Sequence, residues 1–151
     1  MTGRKNAPLE PALAFLRELW ALDHALVSTS KRMLDRMGIT AEQRMVLRFV
    51  GKFPRMTAGE LAAMLHVEKS TLSLALKRLE EKALVDRSRD TTDARKTRVV
   101  LTKKGRSLDR PAVGTVERAV QRALRATKPG EVDAVRLFLQ RLVICLEDAR
   151  T

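Results

Sequence analysis

The sequence predicts a mainly α chain with one small β-hairpin. Three observations lead there. Apolar residues recur at helical spacing over most of the 151 residues, and with one Trp, four Phe and no Tyr the core must be aliphatic. Thr57, with Glu60 three residues on, is a helix-start signature. Leu61, Ala62 and Leu65 follow it as one apolar face, Val67 marks a turn, and Leu72, Ala75, Leu76 and Leu79 face inward from a second helix. Small Ala62 falls where two helices must approach closely, so this stretch fits a helix-turn-helix. Finally, Leu84 and Val85, then Val99, Val100 and Leu101, have strand character, and the segment 87–98 between them is polar and rich in arginine. A helix-turn-helix followed by a basic hairpin is a winged helix-turn-helix.

The other elements follow in order. Residues 1–7 read as a loose basic arm. Pro8 and Pro11 suit a first helical turn, where a missing N–H costs nothing. A long helix then runs to about Met37 with two apolar stripes. Leu9, Leu13, Leu16, Trp20 and Val27 form one; Leu19, Leu22, Leu26, Met33 and Met37 form the other. Two stripes imply burial on two sides, the second most simply against another subunit. Gly38 ends this helix as a left-handed cap, and Thr40 with Gln43 opens the next. That helix carries Val46, Leu47, Phe49, Val50 and Phe53 and stops before Pro54.

Beyond the hairpin, Thr102 caps a helix expected over roughly 103–126, with Leu108, Val113, Val116, Val120 and Leu124 on one face and a kink at Pro111 and Gly114. Pro129 starts the last helix. Its segment Leu137 to Leu146 is apolar nearly all round and requires enclosure. The expected division is an N-terminal arm and dimerisation helix at 1–37, a winged helix-turn-helix at 38–102, and C-terminal dimerisation helices at 103–151.

Charge points to the partner. The net charge is +12 and the isoelectric point about 10.8, which favours an anionic partner: nucleic acid first, an acidic membrane second. The basic residues cluster. Between Lys77 and Arg110 stand 12 Lys or Arg against six acids, so less than a quarter of the chain carries half the net charge. The single cysteine, Cys145, excludes an intramolecular disulfide and a Cys-rich zinc site. Charged residues interrupt the N-terminal apolar run, no signal peptide is evident, and the expected location is the cytoplasm. His24, His66 and Cys145 assemble no triad, carboxylate dyad or metal cluster, and there is no Gly-rich phosphate loop. No enzymatic activity, cofactor or metal is expected.

One run carries a family resemblance. Leu79-Glu80-Glu81-Lys82-Ala83-Leu84-Val85-Asp86-Arg87, then Asp90, Asp93 and Arg95, then Leu101-Thr102-Lys103-Lys104-Gly105, resembles the signature of the MarR (multiple antibiotic resistance regulator) family. Its most specific piece is Asp93-Ala94-Arg95, five further residues, and then Leu-Thr-x-x-Gly. The motif covers about a third of the chain, and the helical flanks fit the same family. The resemblance implies a homodimer whose terminal helices intertwine and which binds double-stranded DNA.

The residues themselves suggest the contacts. Lys69, Ser70, Thr71 and Ser73 lie in the first turns of the recognition helix, where such helices meet base edges and phosphates. The alternative for Ser70 and Thr71 is helix capping. Lys77 and Arg78 lie further along, positioned for the DNA backbone. Leu74 departs from the family, which places a polar or basic residue near here; it either touches thymine methyls or packs against Val67 or the wing. Ala83 also departs, standing where the family has Gly. A left-handed Ala83 costs about 1 kcal/mol.

Arg95, at the hairpin tip, is suited to the minor groove, as the resemblance also implies, with Asp90 and Asp93 steadying the wing. Arg87, Arg89, Lys96 and Arg98 are expected to add phosphate contacts. The family further implies a small aromatic or phenolic effector. Trp20 and His24, one turn apart, with Phe49, are the candidate lining; a core Trp and a partly exposed His are the plainer reading. Some family members sense peroxide through a cysteine near the N-terminus, whereas Cys145 lies on an apolar C-terminal helix and reads as inert core.

The expected function is a homodimeric, sequence-specific regulator, acting as a ligand-relieved repressor on a pseudopalindrome. Two alternatives stay open. One is a nonspecific architectural nucleic-acid binder. The other is a winged-helix interaction module, against which the basic wing argues.

Overall fold

The structure, a computed structural model, describes residues 10–149. The expected arm at 1–7, with Pro8 and Leu9, lies outside the described residues. The element order is α1 (Pro11–Met37), α2 (Ala41–Lys52), α3 (Ala58–Leu65), α4 (Lys69–Glu81), β1 (Val85–Arg89), β2 (Thr97–Leu101), α5 (Lys103–Leu108), α6 (Val116–Arg125) and α7 (Pro129–Asp148). It forms two compact units that meet in sequence between Ala112 and Val113.

The first unit holds α1 to α5. Local chemistry sets most of its helix ends. Gly38 adopts φ 72° and donates its N–H to the Leu34 carbonyl, closing α1. Thr40 and Gln43 make the reciprocal cap that opens α2, each N–H reaching the other's side chain at 3.2 Å. Thr57 and Glu60 repeat the device at α3: the Thr57 N–H donates to Glu60 Oε2 at 2.8 Å and the Glu60 N–H to Thr57 Oγ1 at 3.2 Å. These bonds from Thr57 hold the Glu60 carboxyl below its ordinary range.

The core is aliphatic, as the composition requires. Ile39, Val46, Leu47 and Val50 meet Leu61, Leu72, Leu76 and Leu79, and Leu84, Val85, Val99 and Leu101 close it from the hairpin side. The hairpin is antiparallel, with Val85 opposite Leu101 and Arg87 opposite Val99. A short edge joins it: Thr57 bridges Arg98, and Arg55 and Met56 exchange backbone bonds with Val99. Ala83 does take the left-handed conformation, at φ 55°, and its carbonyl accepts from the Thr102 hydroxyl at 2.7 Å.

One element differs from expectation. The helix expected over 103–126 is not one kinked rod; α5 ends at Leu108 and α6 begins at Val116. The cause is distant in sequence. Arg44, fully buried on α2, donates to the carbonyls of Leu108 (2.8 Å) and Arg110 (2.6 Å). A helix continuing past Leu108 would need those carbonyls for its own ladder. Arg48 pairs with Asp109 at 2.6 Å and donates to its carbonyl at 2.8 Å. Asp109 comes so close to α2 that a Cβ at Gly51 would collide with its carboxylate. Gly114, at φ 72°, then turns the chain, and Thr115 caps α6.

Much apolar surface is left bare within one chain. On α1 only Met33 is a buried apolar residue, while Leu13, Leu16, Leu22, Leu26 and Val27 are exposed and Trp20 is 72% exposed. In the second unit α7 buries none of its residues, and Val135, Leu137, Phe138, Val143, Ile144 and Leu146 are exposed. Cys145 is exposed too, not enclosed as expected for inert core. No helix of the described residues is long and apolar enough to cross a membrane.

Candidate nucleic-acid interface

The recognition helix α4 divides cleanly by face. Leu72, Leu76 and Leu79 are buried, while Lys69, Ser70, Thr71, Ser73, Leu74, Lys77 and Arg78 are all exposed. Its N-cap is Glu68, whose side chain makes no cap bond. The hydroxyls of Ser70 and Thr71 therefore do not cap it, and its first N–H groups have no side-chain acceptor. Such a terminus favours a phosphate. Leu74 is 51% exposed, on the solvent face and not packed in the core.

The wing is braced from inside. Asp90 is buried at the start of the hairpin turn. Its Oδ1 accepts from the Thr92 hydroxyl at 2.5 Å, from the Thr92 N–H at 2.7 Å and from the Asp93 N–H at 3.1 Å, and its other oxygen pairs with the Arg98 guanidinium. The Thr92 hydroxyl and N–H, with the Asp93 N–H and Arg98 adding, push the Asp90 carboxyl far below the ordinary range, against the opposing effect of burial. Asp93 continues the turn by accepting the Arg95 N–H at 3.1 Å. Backbone bonds from Asp90 N–H to the Lys96 carbonyl (2.8 Å) and from Lys96 N–H to the Asp93 carbonyl (2.9 Å) close the loop.

These contacts sort the wing cations. Arg89, Arg95 and Lys96 are exposed, and their side chains make no ion pair with another described residue. Two others differ from the expectation of simple phosphate contacts. Arg98 pairs with Asp90 and donates to the Arg55 carbonyl at 2.7 Å, so it holds the wing to the turn before α3. Arg87 donates two guanidinium N–H groups to Glu80 Oε2, at 2.9 and 2.6 Å, tying β1 to α4. The Arg98 pairing depends on the register of β1 against β2 and the Arg87 pairing on how β1 leaves α4, neither of which spacing alone shows.

The effector candidates are not gathered into one cavity here. Trp20 and His24 are exposed on α1, so the Trp is not core within one chain. Phe49 packs against the core with its ring 6.2 Å from Phe53. A cleft of 130 Å³ between α1 and α2 is lined by Val27, Ser30, Lys31, Leu34, Thr40 and Glu42 and contains none of the three. Among the described residues no cluster of three or more His, Cys, Asp or Glu could hold a metal.

An exposed basic helix face beside a braced basic hairpin defines a winged-helix DNA reader. The MarR family model matches residues 37–96. The organic hydroperoxide resistance transcriptional regulator of Bacillus subtilis (strain 168) is 31% identical over 105 residues, 70% of each chain. An HTH-type transcriptional repressor of Mycobacterium tuberculosis (strain ATCC 25618 / H37Rv) is 29% identical over 106 residues, 70% of this chain and 76% of the relative. Among solved structures, S. aureus MepR in complex with DNA shares the fold at a TM-score of 0.72 and 22% identity, covering 87% of this chain and 97% of that one. The chain belongs to the MarR family and is a DNA-binding transcription regulator.

Proposed function

We propose that the protein binds a pseudopalindromic operator as a homodimer and represses transcription until a small aromatic or phenolic ligand releases it. One observation carries the DNA geometry: the exposed row Lys69, Ser70, Thr71, Ser73, Leu74, Lys77 and Arg78 on α4 lies on the side away from the core, beside a tip whose Arg95 is unpaired among the described residues. Each α4 enters a major groove, with half-sites about one helical turn apart, and each Arg95 enters the flanking minor groove. Homodimerisation is supported by the bare apolar faces of α1 and α7, which a second copy would cover. Repression is supported by the M. tuberculosis relative named above.

Arg95→Ala tests the wing. Its side chain bonds no other described residue, so the melting temperature should stay within a degree or two while operator affinity falls by about 5-fold or more, as for loss of a contact of about 1–3 kcal/mol. Wild-type affinity in this variant would remove the wing from the interface. For the effector, Trp20 is the only tryptophan and gives a direct signal. A releasing ligand near Trp20 and His24 should change its fluorescence at the concentrations that dissociate the operator. Release without any change would place the ligand elsewhere.

A further inference from the structure

A cleft of 220 Å³ lies between the turn before α3 and the hairpin, lined by Arg55, Ser88, Arg89, Thr91, Arg98 and Val100. Three arginines line so small a space, and like charges this close repel one another unless anions match them. One is matched: Arg98 pairs with the buried Asp90. Arg55 and Arg89 are exposed and make no ion pair with another described residue. The cleft therefore has two uncompensated positive charges, with the hydroxyl residues Ser88 and Thr91 beside them.

Arg55 is held there at a cost. Its backbone stands at φ 67°, a left-handed conformation that disfavours a side chain by about 1–2 kcal/mol. Two bonds hold it: its N–H donates to the Val99 carbonyl at 3.2 Å, and its carbonyl accepts from Arg98 at 2.7 Å. Asp90 thus braces the cleft through Arg98 as well as the hairpin turn. Only Lys96 and Thr97 lie between Arg95 and Arg98, so the two backbones stand at most about 10 Å apart. The minor groove is about 6 Å wide. A tip inside the groove therefore brings this cleft beside the phosphates that wall it.

We propose that Arg55 and Arg89 clamp a backbone phosphodiester of the bound duplex, just outside the groove that Arg95 enters. The inference rests on the DNA-binding reading above and adds Arg55, which no wing or recognition-helix pattern includes. Two unpaired arginines lining one cleft suit a phosphate, with Ser88 and Thr91 as further donors. Such a contact adds affinity and salt dependence but carries no sequence information.

The test uses the full chain and a duplex that wild type selects. Operator affinity is measured between 50 and 200 mM salt for wild type, Arg55→Gln and Arg89→Gln. Each lost phosphate contact should reduce the salt slope by about 0.9, hence about 1.8 for a dimer with two clefts, while the selected motif stays the same. Arg55→Lys should retain most of the slope. A melting curve establishes folding, and Arg89→Gln carries the test if Arg55→Gln does not fold. Wild-type slopes in the glutamine variants overturn the clamp and leave the regulator intact. Absence of any duplex binding by wild type overturns both. If the slopes are unchanged yet inorganic phosphate binds wild type and not Arg55→Gln, the cleft takes a free anion and the duplex clamp is overturned.

Discussion

Asp90 shows how much of the wing rests on one side chain. The family resemblance implied Asp90 and Asp93 as wing supports, and the structure gives the physical form of that support: each accepts neighbouring N–H groups in the turn. It did not show that Arg98 would answer Asp90, since that pairing depends on the register of β1 against β2. The bonded Asp90 carboxylate has a pH consequence. The Asp90 carboxyl is held well below the ordinary aspartate value of 3.8, chiefly by Thr92. Its stabilisation is therefore complete above about pH 4 and is lost as pH falls toward the lowered folded value. Asp90→Asn should melt lower than wild type at pH 7, and its further drop between pH 7 and pH 3 should be smaller. Parallel melting profiles for the two proteins would show that the carboxylate contributes no charge-dependent stability. Arg44 was illegible for another reason: a charged residue in a helical pattern reads as surface, and only partners 64 and 66 residues away reveal its buried role.

Elements bounded by local chemistry were the most legible. Gly38, Thr40 with Gln43, Thr57 with Glu60, and Pro129 all mark helix ends where the sequence put them. The exception is the break between α5 and α6, where Pro111 and Gly114 suggested a kink but Arg44 and Arg48 take the carbonyls of the C-terminal turn. The start of α5 is fixed by close packing. Thr102 caps it by accepting the Gly105 N–H at 2.9 Å, and a Cβ at Gly105 would run into the Leu84 carbonyl. That carbonyl is backbone and itself accepts the Thr102 N–H at 3.1 Å, so it cannot swing aside. Gly105→Ala should lower stability by about 1–3 kcal/mol, read as a lower denaturant midpoint with an unchanged slope. An unshifted midpoint would mean that the hairpin and α5 separate more easily than their packing indicates.

At the level of the molecule, exposed apolar surface and basic charge each ask for a partner. Trp20, Leu22, Val143, Ile144 and Leu146 stand exposed in one chain, a pattern that monomers seldom tolerate over whole helices. The net charge of +12 asks for an anion, and its concentration around α4 and the wing says where. The sequence conveyed both demands, and it conveyed the winged fold because apolar spacing and turn chemistry agreed along the chain. It could not convey which arginines pair within the protein and which stand unpaired among the described residues. The most direct measurement is selection of random duplexes by the purified protein at about 150 mM salt, followed by sequencing. Enrichment of an inverted repeat with half-sites about one helical turn apart is the predicted result, since a two-fold dimer must read its site twice. Tight binding with no enriched motif would contradict a sequence-specific regulator and mark the protein as a nonspecific nucleic-acid binder.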